Sequence, residues 1–586
     1  MAVENLITEH IDIWASAVKT KSTSGRGSSK KLELYGVKKL RELILELAVR
    51  GKLVPQDPND EPASVLLERI AAEKAKLVKA KKIKKQKSLG QVSKDEELFD
   101  TPTGWAWTRI SEIAEISPRN STTDDDAEVS FVPMPLITTN YDGSHGSEKR
   151  IWKEIKKGYT HFQDGDIALA KITPCFENSK AAVFSGLEGG VGAGTTELHV
   201  ARPLSDCINP LFVLLYLKAP IFLKVGETKM TGSAGQKRVP KDFFSENPLP
   251  FPPSNEQHRI VAKVDELMAL CDQLEQQTES SIEAHQVLVT TLLDTLTNSA
   301  DADELMQNWA RISEHFDTLF TTEESIDQLK QTILQLAVMG KLVPQDPSDE
   351  SAAELLKRIA EEKAQLVKEK KIKKQKALPP ITEDEKPFEL PSGWEWERIG
   401  TFGIVGTGAT PSRSNPKYWD DPKYNWVSSG ETSELFVNTT KEKVSELAIQ
   451  ETNVSIYPSG TLIVAMYGQG KTRGQITELT EPAGTNQACA AIQLIEKNES
   501  HKDFVKLYFR KSYEELRSNA AGGAQPNLNV GKVQSTVIAV PPLNEQRRIN
   551  TKVNELLTVC DHLKAHFEAV QSTQLHLTDA IVEQAV

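Results

Sequence analysis

Cysteine is scarce in this chain of 586 residues: Cys175, Cys207, Cys271, Cys489 and Cys560 are dispersed, and none forms a C-x-x-C pair. That spacing suggests neither a disulfide framework nor a thiolate zinc site, so a reducing cytoplasm is the expected setting. Long apolar runs are missing as well. No segment approaches the roughly 18 apolar residues of a membrane span, and the start, Met1-Ala2-Val3-Glu4-Asn5, lacks a basic region followed by an apolar stretch. Neither export nor membrane insertion is expected. Positive charge is in deficit overall, with 70 Lys and Arg against 82 Asp and Glu and a net charge of −12, which argues against indiscriminate coating of nucleic acid.

Catalytic signatures are also lacking. No H-E-x-x-H helix, G-x-S-x-G elbow or EF-hand loop occurs, and no glycine-rich methyl-donor loop accompanies an Asp/Asn-Pro-Pro-Tyr/Phe motif. Gly470-Lys471-Thr472 follows an apolar run as a phosphate-binding loop would. The first glycine of G-x-x-x-x-G-K is replaced by Ala465, so the loop cannot easily wrap its amides around a phosphate.

What the chain does have is a repeat. Gly-Lys-Leu-Val-Pro-Gln-Asp-Pro occupies residues 51–58 and returns at 340–347. At that shift of 289, residues 40–110 match 329–399 without a gap, 45 of 71 positions being identical. The exit segment Pro252-Pro253-Ser254-Asn255-Glu256-Gln257-His258-Arg259-Ile260 returns at the same shift as Pro541-Pro542-Leu543-Asn544-Glu545-Gln546-Arg547-Arg548-Ile549. Between the matched ends, about 117–227 against 406–516, identity is scattered. Each unit is therefore a repeated frame around a different insert.

The frame reads as helical. After the Pro-Pro stop, Ile260, Val264, Leu267, Cys271 and Leu274 are spaced 4, 3, 4, 3, and Ile549, Val553, Leu556, Cys560 and Leu563 repeat that seam. The first pattern continues to about Leu296, a rod of roughly 55 Å. Its candidate partner is the amphipathic stretch bearing Leu66, Leu67, Ile70 and Leu77, with Leu355, Leu356, Ile359 and Leu366 in the second copy. Pro55 and Pro58 separate that stretch from a short helix over residues 40–49. Paired arms in tandem predict an antiparallel bundle with an internal two-fold. Lysines cluster just ahead of each insert: Lys74, Lys76, Lys79, Lys81, Lys82, Lys84, Lys85 and Lys87, then Lys363, Lys368, Lys370, Lys371, Lys373, Lys374 and Lys376. They are either a solvated helical face or phosphate contacts that position the insert.

The inserts mix β-like runs, such as residues 166–170 and 461–467, with Gly- and Asn-rich loops, and read as globular α/β modules. Their polar loops are candidates for reading base edges, because Arg and Lys pair with guanine while Asn and Gln pair with adenine. In the first insert these are Lys171, Asn178 and Lys180, then Gln236, Lys237 and Arg238. In the second they are Gln469, Lys471 and Arg473, then Gln525, Asn527 and Asn529. Two different heads on a pseudo-symmetric rod suit a target of two different half-sites, about 34 Å or 10 base pairs apart if both lie on one DNA face. A coiled-coil scaffold binding only proteins is the competing reading, as is a stand-alone nuclease or methyltransferase.

At these residues the chain resembles the DNA-specificity subunits of type I restriction-modification systems. The resemblance rests on the duplicated frame, on Gly104-Trp105-Ala106-Trp107-Thr108-Arg109-Ile110 and its copy Gly393-Trp394-Glu395-Trp396-Glu397-Arg398-Ile399, and on the two exit segments. Thr407-Gly408-Ala409-Thr410-Pro411-Ser412 also looks like the start of such a recognition domain; Ser117-Pro118-Arg119-Asn120 departs from it. The resemblance implies a mixed α/β protein in which two target recognition domains alternate with long helices forming an antiparallel coiled-coil spacer. The expected division is a helical arm over 1–97, recognition domains over 98–253 and 387–542, a central spacer over 254–386 and a C-terminal arm over 543–586. It further implies a non-catalytic subunit in the cytoplasm of a bacterium or archaeon. Two methylation subunits carrying S-adenosylmethionine and two restriction subunits using ATP and magnesium are its expected partners, with double-stranded DNA as the ligand. The segment before residue 40 differs from the start of the second unit and is expected to close the bundle against the C-terminal arm.

Overall fold

The structure, a computed structural model, describes residues 3–22, 30–85, 90–233, 235–300, 302–467, 472–518 and 528–586. It comprises two units, one of residues 1–280 with 571–586, the other of residues 281–570.

In the first unit the helix Tyr35–Val49 turns Leu40, Leu43, Ile44 and Leu47 inward. Gly36 sits where a Cβ would lie 2.2 Å from the Trp14 carbonyl oxygen, so only glycine lets this helix start against that backbone. The chain then enters the insert through the strand Ala106–Arg109 and leaves through Pro248–Phe251, the two paired antiparallel. The insert carries two four-stranded sheets. One orders Ala114–Ile116, Leu198–Pro203, Ile167–Ala170 and Ala181–Val183, all antiparallel. The other orders Glu148–Ile151, Glu128–Val132, Val191–Gly194 and Thr160–Gln163, with a parallel pair at its centre.

The second unit repeats this plan on different side chains. Its ribbon pairs Glu395–Arg398 with Val537–Val540. Its larger sheet orders Gly403–Thr407, Cys489–Leu494, Leu462–Ala465, Ile476–Leu479 and the short Phe436–Val437. Its smaller sheet orders Glu442–Val444, Tyr424–Val427 and Ala483–Thr485, again with one parallel pair. The isolated bridge Tyr457↔Ala483 stands where the first insert has its fourth strand. The inserts thus share one topology although their sequences share little.

Each exit segment opens a long helix: Ser254–Asn298, 45 residues, and Leu543–Ala585, 43 residues. Ile260, Val264, Leu267 and Cys271 are buried, as are Ile549, Val553 and Cys560. Leu274, Leu556 and Leu563 are half-buried. What covers the seam differs from the sequence-based expectation. In the second unit Ile549, Val553 and Cys560 share a core with Ile326, Leu329, Ile333 and Leu336 of the helix Glu323–Val338, and with Val289, Leu293 and Leu296. Ion pairs mark the same interface in both units: Arg41 with Asp272 and Glu275, Lys330 with Asp561.

The expected partner, the helix Ala352–Lys368, instead buries Ala352, Leu355 and Ile359 against Ile399, Phe402 and the strands of the second insert. Its counterpart Ala63–Lys79 packs on the short helix Ile110–Ile113. The cause is an anchoring lysine. Lys74 Nζ donates to the Ser111 carbonyl at 2.7 Å and pairs with Glu112, while Lys363 Nζ donates to the carbonyls of Gly400, Thr401 and Gly403. Ser111, Gly400 and Thr401 lie in one-turn helices that have no intrahelical partner for those carbonyls, and Gly403 follows directly on the second of them.

The N-terminal segment also repeats, contrary to the sequence reading. Ile7-Thr8-Glu9-His10-Ile11-Asp12 corresponds to Ile312-Ser313-Glu314-His315-Phe316-Asp317 at a shift of 305. His10 (φ −121°, ψ 21°) and His315 (φ −118°, ψ 21°) hold the same kink between two helices. Each His carbonyl accepts from the third and fourth amides beyond it at 3.0 Å. The sixteen extra residues of the first copy include the strand pair Lys19–Ser22 and Lys30–Glu33. The C-terminal residues belong to this unit, with Tyr35 Oη donating to Asp579 at 2.6 Å and Lys52 Nζ to the Val586 carbonyl at 2.7 Å. Lys341 makes the equivalent bonds to the Thr297 and Ser299 carbonyls.

Candidate nucleic-acid interface

The mount of each insert is built from the repeated motifs. Gly51 (φ 68°) and Gly340 (φ 69°) end the leading helices in the left-handed region, where an added Cβ would also strike Pro102 or Pro391. The chain then folds back, so that Gln56 Nε2 donates to the Gly51 carbonyl at 2.8 Å and to Glu256 at 3.3 Å. Glu256 also accepts from Trp105 Nε1 at 3.0 Å. Gln345 repeats the pattern toward Gly340 and Glu545, at 2.6 and 3.1 Å. Asp60 accepts from Arg259 and Asn255, and Asp349 from Arg548. Gln257 and Gln546 donate to the carbonyls of Pro252 and Pro541. The octapeptide and the Pro-Pro-x-Asn-Glu-Gln segment therefore return together because each is the other's hydrogen-bonding partner.

A second clamp closes the ribbon. Arg109 pairs with Glu96, and Arg398 with Glu385. Backbone and side-chain donors of Ser93, with the Arg109 guanidinium, hold the Glu96 carboxyl down at about 2. The Arg398 guanidinium, with Thr382, does the same for Glu385 at about 2. Burial pushes Glu256 and Glu545 the other way, above the usual carboxylate range.

On the first mount the structure brings together two candidate segments some sixty residues apart. Val239 N donates to the Lys171 carbonyl at 2.8 Å and Thr173 N to the Lys237 carbonyl at 3.0 Å. Arg238 is bridged to both Ile172 and Thr231. Asn178, Gln236 and Lys237 are exposed, and Lys171 is half-buried. Lys180 turns its Nζ to the Met134 carbonyl at 3.1 Å. Arg238 lies against Glu197, which holds it through Nε at 2.9 Å and Nη2 at 2.8 Å.

On the second mount Gln469, Lys471, Gln525 and Asn527 lie outside the described residues. Arg473 sits, half-buried, in the turn joining Leu462–Ala465 to Ile476–Leu479. Asn529 caps the helix Val530–Ser535, its side chain accepting from Lys532 N at 2.8 Å; that bond serves the fold. The segment from Thr407 is a packing device at its start, since a Cβ on Gly408 would lie 1.6 Å from the Thr485 carbonyl oxygen. Beyond it Arg413 stacks over Trp419 at 3.9 Å and pairs with Glu442. In the first insert the corresponding Asn120 is buried, donating to the Phe162 carbonyl and accepting from Arg202, which also grips Asp166.

Sequence reasoning missed three charged groups. Glu197 carries no local motif. Lys218 is buried, its amine lowered to about 7 by burial, and it donates to the Ser179 carbonyl at 2.8 Å beneath the first candidate loop. Glu478 sits between Lys502 and Lys506, each at 2.6 Å, bracing the second insert's sheet against the helix Glu499–Ser518. None of the three lies in a periodic pattern, so only tertiary proximity exposes them. Of the lysine runs, Lys74 and Lys363 are structural, Lys87 lies outside the described residues, and the other members are exposed. No helix among the described residues is long and apolar enough to cross a membrane.

Two mounted α/β modules of one topology with unlike loops define a protein of the sequence-recognition class, and comparison with known proteins places it. The family model of the type I restriction modification DNA specificity domain matches residues 102–284 and again 391–569. The specificity subunits of the type I restriction enzymes EcoAI and EcoEI, both from Escherichia coli, are 53% and 54% identical to this chain, each aligned over the whole of both sequences. The chain belongs to the family of type I restriction-modification DNA specificity subunits. The crystal structure of the HsdS subunit from Thermoanaerobacter tengcongensis is 17% identical, with a TM-score of 0.43 over 84% of this chain and 98% of that one.

Proposed function

We propose that this chain reads a bipartite, asymmetric DNA target, one half-site per insert, and that its helical frame sets the gap and docks catalytic partners. The observation that carries this is the pairing of two inserts of one topology and unlike loop chemistry with near-identical mounts. A protein-only scaffold has no need of two unlike heads so mounted. On this reading the chain has no chemistry of its own. Methylation subunits using S-adenosylmethionine modify an adenine flipped from the stack, and restriction subunits using ATP and magnesium cleave unmodified DNA. Two copies of each partner fit two mounts.

The test is selection from a randomised duplex library by the chain assembled with its methylation partner, at stated salt. Two short unlike motifs at fixed spacing are expected. Salt-sensitive binding without a motif would return the scaffold reading. The purified chain alone is expected to show neither methyl transfer with the methyl donor nor cleavage with metal, and methyl transfer without a second polypeptide would refute the division of labour.

A further inference from the structure

The geometry points to Arg238 as a guanine reader whose specificity is set by Glu197, a residue outside every candidate loop. The inference rests on the DNA-reading function proposed above. A guanidinium has five N–H donors in a rigid fork. Here Nε and Nη2 present one edge to Glu197, at 2.9 and 2.8 Å, and one Nη1 donor goes to the Gln236 carbonyl at 3.2 Å. That leaves one N–H donor on each terminal nitrogen, the number that guanine O6 and N7 accept from an arginine. The side chain keeps 43% of its surface exposed, so the fork is accessible.

The backbone beneath it is fixed from two sides. Arg238 N donates to the Thr231 carbonyl at 2.8 Å, Thr231 N returns the bond at 3.0 Å, and the Ile172 bridge holds the opposite edge. Glu197 is itself tied down, its amide donating to Thr195 Oγ1 and its carbonyl accepting from Lys171 N at 2.9 Å. The carboxylate thus orients the fork before DNA arrives, removing rotamers that would otherwise be lost on binding. It also repels phosphate, which favours a base edge over the backbone as the ligand of this arginine. Glu197 is a positioning residue, and its removal should lower selectivity without lowering general affinity.

The experiment uses the full chain with its methylation partner and the same randomised library, comparing wild type with R238K, R238A and E197Q. The expected wild-type motif has a G·C pair in one half-site at which R238K and R238A lose preference by about tenfold to a hundredfold, the other half-site being unchanged. Lysine keeps the charge and the pairing with Glu197 but not the fork, so its effect is separable from misfolding. E197Q is expected to weaken the same position while binding to unrelated duplex is unchanged or tighter, which a purely structural role would not produce. Equal loss on all sequences would make Arg238 a phosphate contact and overturn the inference, as would variants that leave the motif intact. A wild-type assembly that selects no motif would instead sink the DNA-reading function on which the inference stands.

Discussion

Arg398 shows how much one side chain can carry in this frame. Its Nε donates to the Pro379 carbonyl, Nη1 to Glu385 and the Ser535 carbonyl, and Nη2 to Glu385 and the Pro380 carbonyl. All five donors are used, which lysine, with three donors and no plane, cannot reproduce. Arg398→Lys is expected to cost about 3 kcal/mol in denaturant unfolding, because the charge is kept but at least two of the five charged hydrogen bonds are lost. Its partner sets a pH dependence. Glu96 and Glu385 are held at about 2 in the folded chain, below the ordinary 4.5. A lowered carboxylate stabilises above its unfolded value and loses that contribution as pH falls through the folded one. E96Q and E385Q should therefore be less stable than wild type at pH 7 and converge on it between about pH 4.5 and 2, as thermal melts across that window would show. The arginines were visible in the sequence within the Gly-Trp-x-Trp motif. Their glutamates, thirteen residues upstream in a single turn, were not, because one turn leaves no periodicity to read.

The long helices were the most legible elements, since a 4-3-4-3 seam after Pro-Pro admits little else. The expected end near Leu296 falls two residues short of Asn298. Which helix would cover the seam was not legible, because the helices Tyr35–Val49 and Ala63–Lys79 are both amphipathic. Lys74 and Lys363 fix the choice, and the backbone carbonyls they share as targets leave no trace in side-chain pattern. Leu267 is fully buried, and Leu267→Asp places an unpaired charge there at a cost of at least about 4 kcal/mol. Loss of a cooperative thermal transition in the first unit is the expected readout; an unchanged melt would contradict the assignment of the seam. Deleting four residues between 275 and 296 shortens the helix by about 6 Å, close to two base pairs. On the proposed function the selected motif should keep both half-sites and change only its gap.

At the scale of the whole molecule the sequence disclosed the duplication but hid that the inserts are duplicates too. Strand order and one central parallel pair recur in both, while the side chains that fill them diverged. A strand asks only for alternation and bulk, so a sheet can survive after identity has faded. Charge works at this scale as well. The chain is acidic overall at −12, yet Lys76, Lys79, Lys81, Lys82, Lys84 and Lys85 and their described counterparts are exposed, Lys81 and Lys370 both in the left-handed region at φ 55° and 57°. Replacing Lys79, Lys82, Lys84 and Lys85 with glutamine should flatten the dependence of DNA affinity on salt by about 0.9 for each phosphate no longer neutralised. The selected motif should remain unchanged. An unaltered slope would assign the runs to solvation alone.

The reciprocal bonding of the mount bears on heredity. Every latch joins residues of one copy: Gln345 to Glu545, Asp349 to Arg548, Glu385 to Arg398. Should the gene recombine between the segments that encode its two identical octapeptides, joining the codon for Arg50 to that for Gly340, it would lose 289 codons and one insert. The shortened product would still encode every member of the second set of latches, with Arg41 brought into the place of Lys330 opposite Asp561. A single crossover can thus turn a reader of two unlike words into a complete reader of one, and two such readers meeting as equals would ask for a palindrome.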